Sequence, residues 1–301
     1  MNAAELPNRR VEAWKYSDLR AALADVPLPA TKARPAQASG KLDGVIERLA
    51  VAQGHHAITT VRAGEEQILV ERFESEDVLD AHVRGIQVLP GGSLTRVVIQ
   101  GGEGVSLSAA HVALADKARF RQIVLAEGSK LARLETHVGV EGEGAEVELN
   151  GGYLCGAGRH ADLTSVIEHT VGGGTTRQLI KGVARKGGRG VFQGKIVVGR
   201  GAQKTDARQH HRGMLLEDGA EIFAKPELMI YADDVQCAHG NTAGGLDESA
   251  LFYMRSRGVP EAEARALLIQ AFLMETIPAD LPAEISAELH ERIGAWLGAA
   301  A

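Results

Sequence analysis

The chain has 301 residues, of which 45% are hydrophobic and 24% are charged, so it can bury a core without covalent staples. Its 33 basic and 39 acidic residues give a net charge of −6. Such a charge creates no global positive field, and we therefore expect neither nucleic acid nor a membrane surface as a partner.

The two cysteines indicate a reducing compartment. Cys155 and Cys237 are too few for a disulfide framework or a paired CxxC zinc site, and Cys155 is interpreted as a core residue. Residues 1–20 carry charges throughout, and no stretch of the sequence approaches the ~18 apolar residues of a membrane span. The sequence predicts a cytoplasmic protein.

The first ninety residues predict a mixed region of short elements and linker. Residues 11–23 have the pattern of a short helix that is interrupted or capped at Ser17. Prolines and alanines in residues 26–37 predict a linker. Residues 67–70 then predict a strand, and residues 75–84 predict a short helix.

From Thr95 to about residue 235, short runs of β-branched and aliphatic residues alternate with glycine-centred turns, for example the run 194–198 and the turn 218–220. No helical pattern intervenes, which excludes a doubly wound α/β sheet and leaves a sandwich, an antiparallel barrel or a β-helix. Irregular turn spacing and few aromatic residues favour stacked coils. Periodicity alone gives the β-helix and the sandwich about equal weight.

The sequence ends in two amphipathic helices. Pro260 suits the first turn of a helix whose apolar stripe comprises Ala264, Leu267, Leu268, Ala271 and Phe272. A second helix is predicted to begin near Asp280 as its cap, with one face formed by Ile285, Leu289, Ile293, Trp296 and Leu297. Such a pair leaves surface for a partner.

Nucleotide motifs are absent from the sequence. There is no G-x-x-x-x-G-K-[ST] segment, so any ATP dependence must come from a partner. Glycines 172–174 lack the strand-to-helix context of a dinucleotide site and are interpreted as a turn. Neighbouring residues on a strand point to opposite faces, so His55-His56 and His210-His211 are interpreted as surface or turn histidines.

Cys237 and His239 are the candidate metal ligands. A spacing of two in extended backbone places both side chains on one face, where a thiolate and an imidazole can share iron or a cluster with ligands from elsewhere. From spacing alone, a small buried cysteine beside a polar histidine is the preferred interpretation. Two ligands do not complete a site.

Two long motifs at opposite ends of the chain resemble one family. Residues 225–242 (K-P-E-L-M-I-Y-A-D-D-V-Q-C-A-H-G-N-T) resemble the hallmark segment of SufD proteins, and residues 245–258 continue the likeness. Residues 9–19 resemble the R-x-x-E-x-W-K-Y opening of the same family, and residues 194–206 also fit. The related SufB proteins carry additional cysteines, so the SufD side of the family is preferred.

This resemblance implies a mainly β protein with a right-handed parallel β-helix core and helical ends, and so favours the β-helix over the sandwich. The implied regions are residues 1–90 (mixed helical and linker), 91–245 (β-helix) and 246–301 (helical, binding SufC). The implied function is that of a subunit without its own catalytic activity in the Suf iron–sulfur cluster assembly complex. Such a subunit is expected to pair with SufB, to be bound by the ATPase SufC, and to hold iron or a cluster only transiently.

The resemblance also implies where these partners bind. His239 and Cys237 are expected to meet ligands of SufB around a nascent cluster. The residues implied for SufC binding are Leu246, Phe252, Tyr253, Arg255, Arg257, Leu268 and Phe272. Two alternatives stay open, a SufB-like paralogue and a structural β-helix that forms homodimers. A carbohydrate-active β-helix is disfavoured, because the adjacent carboxylates of Asp233 and Asp234 point apart.

Overall fold

The computed structural model describes residues 3–29, 44–75 and 79–298, so residues 30–37 of the predicted linker lie outside the described part. Two short 3-10 helices, Ala3–Glu5 and Glu12–Trp14, open this part of the chain. The strands are β1 His56–Val61, β2 Glu66–Ser75, β3 Leu79–Val88, β4 Ser93–Gly102, β5 Val105–Leu114, β6 Arg119–Ala126, β7 Leu131–Val140, β8 Glu146–Cys155, β9 His160–His169, β10 Thr175–Ala184, β11 Arg189–Val198, β12 Asp206–Leu215, β13 Glu221–Ile230 and β14 Gln236–Gly244. The α-helices are α1 Leu19–Ala22, α2 Val45–Gln53, α3 Glu248–Ser256, α4 Glu261–Met274 and α5 Ala283–Gly298.

The strands form a parallel β-solenoid. All odd-numbered strands lie in chain order in one seven-stranded sheet, and all even-numbered strands lie in a second one. Each strand pairs in parallel with the strand two further along, as when His56 aligns with Val83 and Arg189 with Glu221. One odd and one even strand therefore make one coil, and the predicted parallel β-helix is confirmed.

The solenoid begins earlier than the strand pattern suggested. β1 starts at His56, ahead of the predicted boundary at residue 91, and β2 contains the predicted strand 67–70. The helix predicted over residues 75–84 is wrong, because β3 begins at Leu79. Leu79 and Ala81 are buried in one cluster with residues of α2 while β3 pairs with β1 and β5. Long-range pairing overrides the local pattern here.

The interior contains two apolar clusters with a polar line between them. On β4 the alternate residues Leu94, Arg96 and Val98 are all buried. Leu94 belongs to one apolar cluster and Val98 to the other, so the guanidinium of Arg96 lies between the two. Period-two alternation repeated on every coil extends this arrangement along the axis.

The polar line is paired by hydrogen bonds and ion pairs. Arg96 donates from Nε to Glu71 (2.6 Å) and from a terminal nitrogen to Gln122 (2.7 Å), and Gln122 donates to Thr136 (2.9 Å). Burial raises the pKa of Glu71, but the charges and hydrogen bonds of Arg96 and Arg84 outweigh it and lower the pKa overall. Removing one partner would leave a buried charge uncompensated, which typically costs about 3–5 kcal/mol.

Two glycines make room for a buried ring. Tyr153 is fully buried, and a Cβ at Gly182 or Gly190 would lie 1.8 Å or 2.1 Å from its ring atoms. The Tyr153 hydroxyl lies 2.8 Å from Nε2 of His211. A larger residue at either glycine would displace this ring and its hydrogen bond.

The C-terminal helices pack on the outer face of the even sheet. Apolar side chains of that face, among them Val97 and Ile123, form one cluster with Leu289 and Ile293 of α5, which confirms the predicted α5 face. The predicted cap is wrong: α5 begins at Ala283, while the carboxylate of Asp280 pairs with Arg121 at 2.7 Å. None of the described helices is long and apolar enough to cross a membrane.

The apolar stripe predicted for α4 is only partly correct. Ala264 is buried as expected, but Leu267 and Ala271 are exposed, and Ile269 and Leu273 are buried instead. The helix is apolar on most of its surface, so periodicity could not identify the face that the even sheet covers.

We expect the stability of the fold to fall between pH 6.5 and 4. His169 is buried and its Nε2 lies 2.8 Å from the Thr176 hydroxyl, and burial lowers its pKa from 6.5 to about 4. The unfolded chain binds the proton more tightly, so this contribution is complete above pH 6.5 and is lost as the pH falls towards 4, by about 3 kcal/mol.

Urea unfolding of the wild type and of His169→Gln at pH 7 and pH 4 measures this contribution. The variant should lose about 3 kcal/mol less than the wild type on acidification. The exposed His56→Gln is the matched control and should behave like the wild type. An equal loss in all three proteins would contradict the assignment to His169.

Candidate functional site

Cys237 and His239 lie on β14, which pairs with β12 and forms the edge of the even sheet. Cys237 aligns with Ala207 and His239 aligns with Gln209, and both of these β12 residues are buried in the interior. The structure therefore places both candidate ligands on the inner face of the solenoid, as their spacing predicts.

His239 is the last member of an internal column of side chains. Successive coils align Arg96, Gln122, Leu149, Gln178, Gln209 and His239. All but Leu149 are polar, so the column is the polar line of the interior. No described strand follows β14, and His239 is exposed. Its imidazole is thus an interior group that has access to solvent.

The penultimate member of the column is held by a close backbone approach. Gln209 donates from Nε2 to the carbonyl of Gly194 at 3.2 Å. A Cβ at Gly194 would lie 2.3 Å from that nitrogen, so only glycine permits the contact. The side chain of Gln209, which precedes His239 in the column, is therefore held by a backbone carbonyl of the opposite sheet.

Cys237 ends the apolar side of the same coil. Its side chain is half-buried and packs against the interior cluster that contains Ala207 and Ala232. Burial raises the pKa of the Cys237 thiol, and the charge of Asp206 adds to this effect. The thiol is protonated at neutral pH, so a bound metal would have to displace a proton.

The end of the solenoid that carries these residues has unpaired strand edges. β13 and β14 are the last described strands of their sheets, and they leave backbone donors and acceptors open to another chain. Exposed apolar side chains, Met229, Ile230 and Tyr231, lie at the end of β13. This end has the composition and the open hydrogen bonds of an interaction surface.

The described residues do not complete a metal site at this end. One group of at least three His, Cys, Asp or Glu side chains with converging ligand atoms is found in residues 3–29, 44–75 and 79–298, and it contains neither Cys237 nor His239. Iron bound here would need further ligands from beyond these residues.

The two motifs from opposite ends of the sequence meet in space. An N-terminal arm, residues 5–26, lies along the outer face of the odd sheet and reaches β13. Lys225 donates to the carboxylate of Glu12 at 2.5 Å, and the rings of Tyr16 and Phe223 stack with centroids 5.3 Å apart. The arm therefore supports the strand next to the candidate site.

The arm is anchored in the middle of the odd sheet. Trp14 is fully buried, with the guanidinium of Arg133 4.1 Å from its ring centroid. Ser17 donates to Asp162 at 2.5 Å, and Arg133 pairs with the same carboxylate at 2.7 Å. The helix is interrupted near Ser17 as predicted, but its cap is Asp18, whose carboxylate accepts from the amide of Ala21.

The residues predicted to bind SufC fall into two groups. Phe252 is 73% exposed and Tyr253 59% exposed on α3. The Arg257 guanidinium lies 5.3 Å from the Tyr253 ring centroid, and Arg255 pairs with Glu261 at 3.3 Å. These side chains are accessible to a partner.

The remaining members of that set, Leu246, Leu268 and Phe272, are half-buried. Leu246 and Phe272 pack against the cluster between the helices and the even sheet. The Phe272 ring also receives the ammonium of Lys181 at 4.4 Å, and Leu268 is half-buried. Leu246 and Phe272 help to hold the helices in place, so their effect on a partner would be indirect.

Two other sequence interpretations have clear outcomes. His211 is buried rather than on the surface: its ring stacks on Phe192 at 5.2 Å, and its Nδ1 lies 2.8 Å from Asn241. The inward alternation of Ala207, Gln209 and His211 was the signal that could have revealed this. Cys155 is a core residue as expected, and burial raises the pKa of its thiol to about 12.

Fold and site together define a parallel β-solenoid protein that presents potential metal ligands at an unpaired end. The family described as SUF system FeS cluster assembly, SufBD core domain, matches residues 44–272. The chain belongs to this SufBD family of iron–sulfur cluster assembly proteins, and the resemblance drawn from the two motifs is confirmed.

Curated relatives agree with this membership. SufD of Escherichia coli is 35% identical over 56% of this chain and 40% of its own length. A SufBD family protein of Synechocystis is 31% identical over 76% of this chain and 50% of its own. The chloroplastic protein ABCI7 of Arabidopsis thaliana is 38% identical over 54% of this chain and 34% of its own. The chain thus spans half or less of the length of these relatives.

Trp14→Ala should lower the free energy of unfolding by about 3–5 kcal/mol, because it empties a fully buried site and removes the cation–π contact with Arg133. Urea unfolding measures the change. Val11→Ala, in the same arm and 42% exposed, is the control and should stay within about 0.5 kcal/mol of wild type. Equal effects of the two substitutions would show that the arm is not anchored through Trp14.

Proposed function

We propose that this chain is a non-catalytic subunit of a Suf iron–sulfur cluster assembly complex, in which it pairs with SufB and supports iron acquisition and cluster assembly at their interface. One observation carries the proposal. An inward-facing imidazole and thiol lie at the end of a solenoid where the last strands, β13 and β14, each have one edge without a described partner strand. The predicted cytoplasmic location and the predicted start of the C-terminal region at residue 246 stay predictions.

Pairing with SufB is supported by the geometry of the open end. A partner with parallel strands can add to the edges of β13 and β14 through backbone hydrogen bonds, and alternate side chains then fix the register. Such a partner would continue the internal polar column beyond His239. Its own side chains would be the source of the ligands that the described residues lack.

The chemistry of the two ligands suits a transient cargo. Imidazole and thiolate are both ligands for iron and for iron–sulfur clusters. Because burial raises the pKa of the Cys237 thiol, metal binding there must release a proton, which weakens retention. We therefore infer that the complex binds iron or a nascent cluster only transiently.

SufC binding is supported by the exposed aromatic side chains of α3. Phe252 and Tyr253 form an accessible apolar pair beside Arg255 and Arg257, a composition typical of interface hot spots. The sequence has no P-loop of its own, so the ATPase partner would supply the energy. Motion of the helices can reach the solenoid through Lys181 of β10, which pairs with Glu275 at 2.6 Å.

Co-purification with SufB and SufC, followed by iron and sulfide analysis, tests the cluster role. His239→Ala and Cys237→Ala should leave the complex intact but lower its iron and sulfide content. Gln236→Ala, an exposed neighbour on β14, is the control and should load fully. Full loading of both ligand variants would contradict the role of this end. If the wild type does not bind SufB and forms only homodimers, the proposal is wrong and the chain is a structural β-helix that self-associates.

A second experiment tests the helical region. Phe252→Ala with Tyr253→Ala should weaken SufC binding by about 30-fold or more, the equivalent of about 2 kcal/mol for a hot spot. Ile58→Ala removes an 81% exposed apolar side chain from β1, the first strand of the odd sheet, and should bind SufC normally. Unchanged affinity of the α3 variant in calorimetry would place the SufC site elsewhere.

A further inference from the structure

Three potential metal ligands converge at the first coils of the solenoid, at the end of the odd sheet opposite to β13. They are His55, directly before β1, and Asp80 and His82 of β3. Their ligand atoms all lie within 4.8 Å of one another. This group is separate from the Cys237 and His239 site.

One carboxylate oxygen is the centre of the group. Oδ1 of Asp80 lies 2.8 Å from Nε2 of His82 and 3.2 Å from Nδ1 of His55. The two imidazole rings stack face to face, with centroids 4.5 Å apart and planes inclined by 6°. Both rings therefore direct a nitrogen towards the same point.

The local fold dictates this convergence. Asp80 and His82 are two apart on a strand, so they share a face, and the alignment of His56 with Val83 brings His55 alongside His82. His55 and His56 are exposed, in agreement with their interpretation as surface or turn histidines. The partner of His55 comes from the next coil, and this contact depends on the register between the coils.

The backbone around the ligands is fixed by α2. Gly54 ends this helix with φ +79°, and the amide of His55 then donates to the carbonyl of Ala50 at 2.8 Å. The Gln53 side chain donates to the carbonyl of Leu79 (2.9 Å) and accepts from the amide of Ala81 (2.8 Å), on either side of Asp80. The three ligands are thus preorganised, as metal sites require.

We propose that His55, Asp80 and His82 bind a divalent first-row transition metal such as Zn²⁺, Fe²⁺ or Co²⁺. Bonds of about 2.0–2.2 Å to a shared tetrahedral metal separate its ligand atoms by roughly 3.4 Å. The carboxylate distances of 2.8 Å and 3.2 Å fall just short of that spacing. Small side-chain movements would therefore admit the ion, and its remaining positions would stay open to water or another ligand.

The surroundings suit such an ion. Phe73 closes one side, with its ring centroid 4.6 Å from that of His82. A cavity of about 170 Å³ opens beside the group. The nearby guanidinium groups of Arg84 and Arg96 both bind the carboxylate of Glu71, whereas Oδ1 of Asp80 contacts the two imidazoles that would share the metal with it.

Titration of the chelator-treated chain with Zn²⁺ by calorimetry, and with Co²⁺ by visible absorption, tests the proposal. The wild type should bind one equivalent and melt at a higher temperature with metal than without it. His55→Ala, His82→Ala and Asp80→Asn should each lose the binding and the metal-dependent rise in Tm. Gln53→Ala, which only positions the ligands, should weaken binding by about 10–100-fold.

Two controls make the result specific. His56→Ala removes the neighbouring exposed histidine, and the double variant Cys237→Ala/His239→Ala removes the other candidate site. Both should bind Zn²⁺ at this site as the wild type does. The proposal is overturned if the wild type binds no stoichiometric metal, or if His55→Ala and His82→Ala bind as tightly as His56→Ala. Circular dichroism without metal verifies that each variant is folded.

Discussion

The parallel register of the coils is the constraint on which the rest of the molecule depends. Because each strand aligns with the strand two further along, every inward side chain rests on its equivalents in the coils before and after it. A polar residue in this interior has to find its partner within the column or across to the facing sheet. Arg96 donates to Gln122 in the next coil and pairs with Glu71 of the preceding coil, and Gln122 in turn donates to Thr136 of the facing sheet. The column that begins with Arg96 therefore carries polar side chains, interrupted at Leu149, through the core to the end of the solenoid.

A solenoid has two ends, and both ends of this one expose groups that would be buried in the middle. At β14, His239 is an interior column member without a following coil. At β1 and β3, His55 and His82 are stacked interior neighbours beside an opening. Exposed strand edges of this kind pair with strands of another chain or are covered by a capping element. In this chain both ends carry potential metal ligands, and the chain belongs to a family of iron–sulfur cluster assembly proteins.

The fold could be inferred from the sequence only in part, because each coil is closed by contacts between distant residues. Glycine turns and aliphatic runs indicated stacked strands, but the choice between β-helix and sandwich came from the two terminal motifs. The pattern near residue 80 suggested a helix. This prediction was wrong because the contacts of β3 with β1, β5 and α2 outweigh the weak local preference of these residues. The same-face placement of Cys237 and His239 followed from spacing alone. The contact between His55 and His82 could not be predicted from the sequence, because it depends on the register between the coils.

The N-terminal arm changes how such a repeating structure can assemble. In a simple solenoid each coil contacts only its neighbours, so coils can fold and fray one at a time. Here Trp14 contacts Arg133 of β7, and Tyr16 and Glu12 contact Phe223 and Lys225 of β13. These contacts join the first described segment of the chain to the last strand of the odd sheet. The arm can dock fully only after the last coils have been synthesised, so its contacts with β13 form only when that end of the solenoid is in place.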